Sequence, residues 1–192
     1  MADIKNANIE YILRWEGGLS KDTNDSASKN CVPDGSGTHT NKGITWASWR
    51  SQFGSDKDSI ARFYKMDAED WRTMYKGYWD GMKADLIISD LIAEFWVDFA
   101  WGSGVRGASK QLQYCLNDLG CELGVDGVIG PKTIKALNTR IDKLGEKRVY
   151  NESFNHRCNF LASLSSFQHF GRGWMNRLRD FNGYAQKKLI GG

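Results

Sequence analysis

The chain has 192 residues and a formal net charge of +3, with 41% hydrophobic and 12% aromatic residues. This length suits one domain, or one domain with two lobes, and the apolar content is that of a globular protein. The charge is too small for the clustered basic stripe of a nucleic-acid-binding protein, so we expect no nucleic-acid partner. The longest apolar stretch, Leu86 to Trp101, is interrupted by polar residues, and we therefore expect no insertion into a membrane.

The N-terminal residues show no basic flank, apolar segment or small-residue cleavage site, so they predict no signal peptide. The four cysteines form neither a CxxC pair nor a zinc spacing, and the three histidines are scattered. We therefore expect free thiols, no metal site and no cofactor. Only 2 prolines, together with long stretches of helical periodicity, indicate a mainly α protein.

The first third of the chain combines one helix with a long polar loop. Asp3 is predicted to cap a helix that runs to about Trp15 and ends at Gly17-Gly18. The stretch from Ser20 to Gly43 is rich in Gly, Asp, Asn, Ser and Thr, which predicts a loop with a short β-hairpin.

The rest of the chain is predicted to form helices joined by turns. Residues 102–107 match the pattern G-x-G-x-x-G, but the helical periodicity before them indicates a turn between helices rather than a dinucleotide site. The predicted helices begin at Thr45, Asp67 and Ser89, cover Ala108–Leu119, begin again at Pro131, and cover Glu146–Leu164 and Arg172–Lys188.

Glu16 is the strongest candidate for a catalytic residue. It follows three apolar residues at helical spacing, Ile9, Ile12 and Leu13. Burial and the negative end of the helix dipole both disfavour the ionised form, which predicts a raised pKa. A carboxyl group that stays protonated can protonate a glycosidic oxygen. From periodicity alone, a solvent-facing Glu16 that pairs with Arg14 or a lysine is an open alternative.

Three further side chains are weighed for a role in the site. Asp98 lies on an apolar helix face, which favours structural burial with a hydrogen-bonded partner. Tyr78 and Trp79 are candidates for stacking on sugar rings, although aromatic residues at helical spacing more often belong to the core.

Two motifs, WEGG at Trp15–Gly18 and GTHTNKGIT at Gly37–Thr45, resemble the start of the glycoside hydrolase family 108 muramidases. The likeness continues as far as Phe181 and so spans nearly the whole chain. It implies a mainly α, lysozyme-like fold with two lobes and a small loop and β-hairpin region after the first helix. We place a lysozyme-like catalytic lobe at 1–95 and a helical lobe at 96–192.

The resemblance implies that Glu16 is the catalytic acid and that the substrate is the β-1,4 MurNAc–GlcNAc bond of peptidoglycan. A second acid and Thr40 would then hold a water or stabilise oxocarbenium character. The loop before Thr40 is longer than is usual in the family, so the second acid is ambiguous. Asp25 keeps the spacing from Glu16, and Asp34 nearly keeps the spacing to Thr40. We prefer Asp25.

The segment Val125–Asn138 resembles the peptidoglycan-binding segment of the same hydrolases, and its Asp126-Gly127 pair predicts a turn. We therefore expect glycan strands of peptidoglycan as the partner and a monomer as the active form. Without a signal peptide, the protein would reach the wall after cell release or through a dedicated exporter. The substrate-binding candidates are Asn41, Tyr78, Trp79 and Asp126.

Two other functions remain open at this point. A non-catalytic protein that binds peptidoglycan or assists export would keep the same fold. A lytic transglycosylase would also work with a single glutamate. The sequence does not decide between a retaining and an inverting hydrolase.

Overall fold

The computed structural model describes residues 1–191, without the side chain of Ile9. Helices hold 69% of the residues, and the described chain has one two-stranded antiparallel sheet, which confirms the mainly α, lysozyme-like fold with a small hairpin. Packing defines a smaller unit, Asn8–Gly77, and a larger unit formed by Met1–Ala7 and the chain from Tyr78 onward. The functional lobes at 1–95 and 96–192 stay a prediction. No helix within the described chain is long and apolar enough to cross a membrane.

The helices are short in the smaller unit and longer in the larger one. The smaller unit holds α1 (Ile9–Trp15), β1 (Thr40–Asn41), β2 (Ile44–Thr45), α2 (Trp46–Phe53), α3 (Lys57–Tyr64) and the first part of α4 (Ala68–Gly81). The larger unit holds the end of α4, α5 (Asp90–Ser103), α6 (Val105–Asp118), α7 (Pro131–Leu144), α8 (Glu146–Ser163) and α9 (Phe167–Gly191). The cysteines are free thiols, at Cys31, Cys115, Cys121 and Cys158.

The predicted first helix is in fact two elements. Asp3 caps only a 3-10 turn, Ile4–Asn6, and this turn is tied to the start of α5 because Asp90 accepts the backbone N–H of Asp3 at 2.9 Å. The side chain of Asn8 then begins α1 by accepting the N–H of Tyr11 at 3.0 Å. The prediction of one continuous helix was wrong because a contact between distant parts of the chain holds the first turn.

The hairpin forms through a two-residue turn, Lys42–Gly43. Both residues have positive φ, 45° and 75°, which is the conformation of the type I′ turn that suits the twist of paired strands. The register pairs Thr40 with Thr45. The left-handed Lys42 is anchored, because its carbonyl accepts the indole N–H of Trp71 at 3.0 Å.

The sequence patterns do not predict α3. Asp56 begins it by accepting the N–H of Ser59 at 2.8 Å. Phe63 is buried on its inner face and meets Trp46 and Trp49 edge-on, with ring centroids 5.3 and 5.5 Å away. An eight-residue helix with two buried side chains carries little periodic signal, so packing rather than pattern stabilises it.

The central helix of the larger unit is α5, in which residues 91–100 are all buried. Ser89 caps it as predicted, accepting the N–H of Ile92 at 3.0 Å. The helix ends at Ser103, and Gly104, with φ 75°, leads directly into α6. The predicted turn over residues 102–107 is therefore present, but one glycine is enough to make it.

Asp98 of α5 is buried between two arginines, as expected for a structural carboxylate. It is 1% exposed, and its two oxygens accept hydrogen bonds from Arg157 at 2.8 Å and Arg177 at 2.7 Å. Burial alone would raise the pKa of Asp98, but the charges and hydrogen bonds of both guanidinium groups outweigh burial and hold the pKa below its usual value. This cluster joins α5 to α8 and α9.

Glu94 lies one turn before Asp98 and behaves in the opposite way. It accepts a hydrogen bond from the Tyr184 hydroxyl at 2.8 Å and lies 3.3 Å from the ammonium group of Lys188. Burial raises the pKa of Glu94, and the charge of Lys188 and the Tyr184 hydrogen bond only partly oppose this effect. The folded chain therefore holds the Glu94 proton more tightly than the unfolded chain does.

Asp98→Asn removes the charge that faces two arginines, so we expect the free energy of unfolding at pH 7 to fall by roughly 3–5 kcal/mol. Glu94→Gln is the matched control on the same helix. The amide oxygen of the new side chain can still accept the hydrogen bond from Tyr184, and the ammonium group of Lys188 can turn to solvent. We therefore expect the free energy of unfolding to change by less than about 1 kcal/mol. Urea unfolding measures both variants, and equal losses would contradict this assignment.

The two variants also differ in pH dependence. The stabilisation from Asp98 is present above the usual pKa of aspartate and is lost as the pH falls through the lower pKa of the folded state. Protonated Glu94 stabilises the fold below the usual pKa of glutamate, and this contribution is lost as the pH rises through the raised pKa. Asp98→Asn should thus reduce the loss of stability below the usual pKa of aspartate. Glu94→Gln should reduce the loss of stability as the pH rises above the usual pKa of glutamate.

Candidate functional site

Glu16 is the residue that follows the last helical residue of α1. Its backbone is extended, with φ −86° and ψ 130°, and its side chain is half-buried. The sequence placed Glu16 inside the last turn, whereas the helix ends one residue earlier and the chain continues into Gly17-Gly18. The apolar face before it contains the buried Ile12 and the half-buried Leu13, and the side chain of Ile9 lies outside the described residues. The protonated state of Glu16 stays a prediction.

Two large apolar side chains beside Glu16 face solvent. Trp15 is 37% exposed, more than any other tryptophan in residues 1–191, and Leu19 is 52% exposed. An exposed indole next to a candidate acid is suited to stacking on a sugar ring. Helical periodicity does not single out Trp15. The sequence signal that points to it is its position next to Glu16 but off the apolar face.

The long loop after Glu16 returns to its own starting point. Ser20 forms a β-bridge with Thr40, in which the N–H of Ser20 donates to the Thr40 carbonyl at 2.9 Å. The N–H of His39 donates back to the Ser20 carbonyl at 3.0 Å. Ser20 is four residues from Glu16, a length of chain that spans at most about 14 Å. The bridge therefore keeps Thr40 close to the segment that carries Glu16.

His39 is fully buried and holds the hydroxyl group of Thr40. Its Nε2 lies 3.1 Å from the backbone oxygen of Asp22, and its Nδ1 lies 2.9 Å from Oγ1 of Thr40. A carbonyl oxygen only accepts, so the neutral ring donates from Nε2, and Nδ1 accepts the hydroxyl proton of Thr40. The lone pairs of Thr40 Oγ1 are consequently left to accept a hydrogen bond from a water.

The two candidates for the second acid differ in their hydrogen bonds. Asp34 uses both oxygens, since Oδ2 accepts the Tyr64 hydroxyl at 2.6 Å and Oδ1 accepts the N–H of Ser36 at 2.9 Å. These bonds, the Tyr64 bond first, lower the pKa of Asp34 to about 2. Asp25 uses Oδ1 to cap a 3-10 turn through the N–H of Ala27 at 2.9 Å. Within residues 1–191 its Oδ2 accepts no protein hydrogen bond, so Asp25 has the more available carboxylate.

Two of the predicted substrate-binding residues are buried. Asn41 is 4% exposed and donates to the carbonyl of Phe63 at 2.6 Å. Trp79 is 1% exposed, and its indole N–H donates to Asp85. Tyr78 is half-buried, with its ring 5.0 Å from an aromatic ring of α5. Asn41 and Trp79 thus support the structure of their own units, and neither offers a free face to a sugar.

Asp126, the remaining candidate, shapes a turn in the larger unit. Its Oδ1 accepts hydrogen bonds from Gln113 at 2.7 Å and from the N–H of Val128 at 2.9 Å. The Gln113 bond is the main reason why the pKa of Asp126 lies below its usual value. Gly127, with φ 77°, completes the predicted turn, and its N–H donates to Gln113 at 2.9 Å. A groove of about 590 Å³ lies beside this turn.

Comparison with known proteins gives two family matches and several similar solved structures. The model described as "Glycosyl hydrolase 108" matches residues 9–104, which is half of the chain, and the model described as "Predicted Peptidoglycan domain" matches residues 107–179. SagA of Brucella abortus is 26% identical, with a TM-score of 0.67, and the alignment covers 93% of this chain and 91% of that chain. No curated protein sequence is significantly similar. The chain therefore belongs to glycosyl hydrolase family 108, and it is a glycoside hydrolase that acts on peptidoglycan.

Proposed function

We propose that the chain hydrolyses the β-1,4 bond between N-acetylmuramic acid and N-acetylglucosamine, with Glu16 as the general acid. It would act as a monomer on glycan strands at the cell wall. The observation that carries this proposal is the placement of Glu16, half-buried, between the exposed Trp15 and the loop that Ser20 joins to Thr40. Trp15 would stack on a sugar ring and hold the glycosidic oxygen within reach of the Glu16 carboxyl.

Thr40 and Asp25 would position the water that attacks the sugar, each by accepting one of its hydrogen bonds. Because the Thr40 hydroxyl donates to His39, its oxygen can accept a hydrogen bond from this water. The available Oδ2 of Asp25 would accept the second water proton, so that a lone pair on the water oxygen faces the anomeric carbon. His39 is then a positioning residue that acts through Thr40.

Glu16→Gln removes the proton donor and keeps the size of the side chain. We expect the release of reducing ends from purified peptidoglycan to slow by about 100-fold or more, since general acid catalysis contributes about 10²–10⁴-fold. Glu10→Gln is the matched control, because Glu10 is an exposed glutamate on the same helix, and it should stay within about twofold of the wild type. If the Glu16→Gln protein clears a peptidoglycan suspension at the wild-type rate, Glu16 is not the acid.

Mass spectrometry of the products separates this proposal from the two alternatives. Reducing N-acetylmuramic acid ends support hydrolysis at the proposed bond. Anhydromuramic acid ends would assign the chain to the lytic transglycosylases. Binding to peptidoglycan without release of either end would indicate a non-catalytic wall-binding protein.

Asp25→Asn and Asp34→Asn test which carboxylate assists Glu16. We expect Asp25→Asn to lower kcat by at least about tenfold, since it removes the proton acceptor for the water. In Asp34→Asn the amide oxygen can still accept the N–H of Ser36, and the amide NH2 can donate to the Tyr64 oxygen, so kcat should stay within about threefold of the wild type. Both are measured on soluble peptidoglycan fragments. The reverse order would give the role to Asp34.

Two substitutions of His39 separate its two hydrogen bonds. Asn places its terminal atoms near Nδ1 and can keep the Thr40 contact, whereas Gln reaches the position of Nε2 and can keep the Asp22 contact. If His39 acts through Thr40, His39→Asn should retain at least about fivefold more kcat than His39→Gln. In a Thr40→Val background this difference should disappear, as a double-mutant cycle would show. A difference that persists without the hydroxyl contradicts the positioning role.

A further inference from the structure

A polar cleft lies between three helices of the larger unit, away from the Asp126 turn. Its volume is about 320 Å³, which suits one or two amino-acid residues better than a long glycan. The ends of α6 and α7 and one side of α8 form its walls. Its floor includes Cys115, whose pKa is raised to about 12 by burial, so the thiol is neutral. The polar lining side chains are Asp118, Arg148, Glu152, Asn155, His156 and Asn159.

Most of this lining comes from one continuous stripe of α8. At about 100° per residue, the five side chains of α8 in the cleft fall within an arc of about 100°. The stripe runs over about 16 Å of helix, from a guanidinium group to two amides. Its members are Arg148, Glu152, Asn155, His156 and Asn159. One face of a single helix therefore presents a cation, an anion and neutral hydrogen-bonding groups to the same cleft.

In the cleft, a hydrogen-bond acceptor of His156, its Nδ1 atom, faces the carboxylate of Asp118. Its Nε2 lies 2.9 Å from Oε1 of Gln111, so Nε2 carries the proton and Nδ1 has a lone pair. Nδ1 lies 3.4 Å from Oδ2 of Asp118. Burial lowers the pKa of His156, and the charge of Asp118 only partly opposes this, so the ring is neutral at neutral pH. Two acceptors without a proton between them favour a ligand that donates, such as an ammonium group.

The two oppositely charged side chains of the stripe, Arg148 and Glu152, do not pair with each other within residues 1–191. Arg148 and Glu152 are one helical turn apart and both exposed, yet neither forms a salt bridge within residues 1–191. A guanidinium group that faces a cleft binds carboxylates well, because its planar donors match their geometry. The cleft thus offers a carboxylate site near Arg148 and an ammonium site near His156, about 12 Å apart along the helix axis before the side chains reach inward.

We propose that this cleft binds the peptide stem of peptidoglycan. The free amino group of the stem's diamino acid would donate to His156 and Asp118, and the C-terminal carboxylate would accept from Arg148. The glycan chain is neutral apart from its stems, so only the peptide carries both charges. The proposal rests on peptidoglycan as the substrate and assigns a second part of that polymer to the α6–α8 region.

Titration calorimetry of the full chain with the tetrapeptide N-acetyl-L-Ala-γ-D-Glu-meso-diaminopimelate-D-Ala, whose one free amine is that of diaminopimelate, tests this assignment. We expect saturable binding, weakened about tenfold or more when the free amine is acetylated or the C-terminus is amidated. Arg148→Gln should weaken binding of the free acid by a similar factor and leave binding of the amidated peptide unchanged. Asp118→Asn should likewise weaken binding of the free amine and leave binding of the acetylated peptide unchanged.

Matched controls are Arg179→Gln on α9 and Asp142→Asn on α7, two exposed charges outside the cleft, which should bind like the wild type. The proposal is overturned if the tetrapeptide shows no saturable binding, or if Arg148→Gln binds the free acid as tightly as the wild type. The titration breaks no bond, so a failure of Glu16 as the acid leaves its outcome unchanged. Absence of peptide binding would likewise leave the glycosidase assays unaffected.

Discussion

Asp98 carries a negative charge at a position with 1% exposure, and guanidinium groups from two other helices neutralise it. A helix that is buried on every side, as α5 is between residues 91 and 100, has no single hydrophobic face to define how it is rotated. A buried charge does so, because a turn of α5 away from Arg157 and Arg177 would leave the Asp98 carboxylate buried without these two guanidinium groups. The orientation of α8 and α9 around α5 therefore depends on this cluster.

The same contact determines which face of α8 is available to a ligand. Arg157 is nine residues from Arg148, so the two side chains point in directions about 180° apart on the helix. With Arg157 fixed on Asp98, the opposite face, which carries Arg148, Glu152 and Asn155, is directed into the cleft with α6 and α7. One buried ion pair thus supports the fold on one side of α8 and presents the polar stripe on the other.

The sequence predicts those features that depend on local patterns. Helical periodicity and the Ser89 cap predict where α5 begins, and the polar composition before Lys42 predicts the hairpin. Contacts between distant residues are what the patterns miss. The bond from Asp3 to Asp90 divides the first helix, and the aromatic packing of Phe63 creates α3. For the proposed site, the sequence singles out Glu16 as a candidate. It predicts neither the exposure of Trp15 nor the contact between His39 and Thr40, since both depend on the folded loop.

Peptidoglycan repeats both of the groups that the chain is proposed to bind. Each N-acetylmuramic acid residue carries a stem and adjoins a bond of the type that Glu16 would cleave. When a stem occupies the α8 cleft, the next contact of the same chain with the polymer becomes intramolecular, and the local concentration of glycan around Glu16 rises. A weak stem site is sufficient for this effect, because avidity depends on repeated contacts rather than on the affinity of one. A weak site also releases its stem after cleavage, so the enzyme can move along the wall.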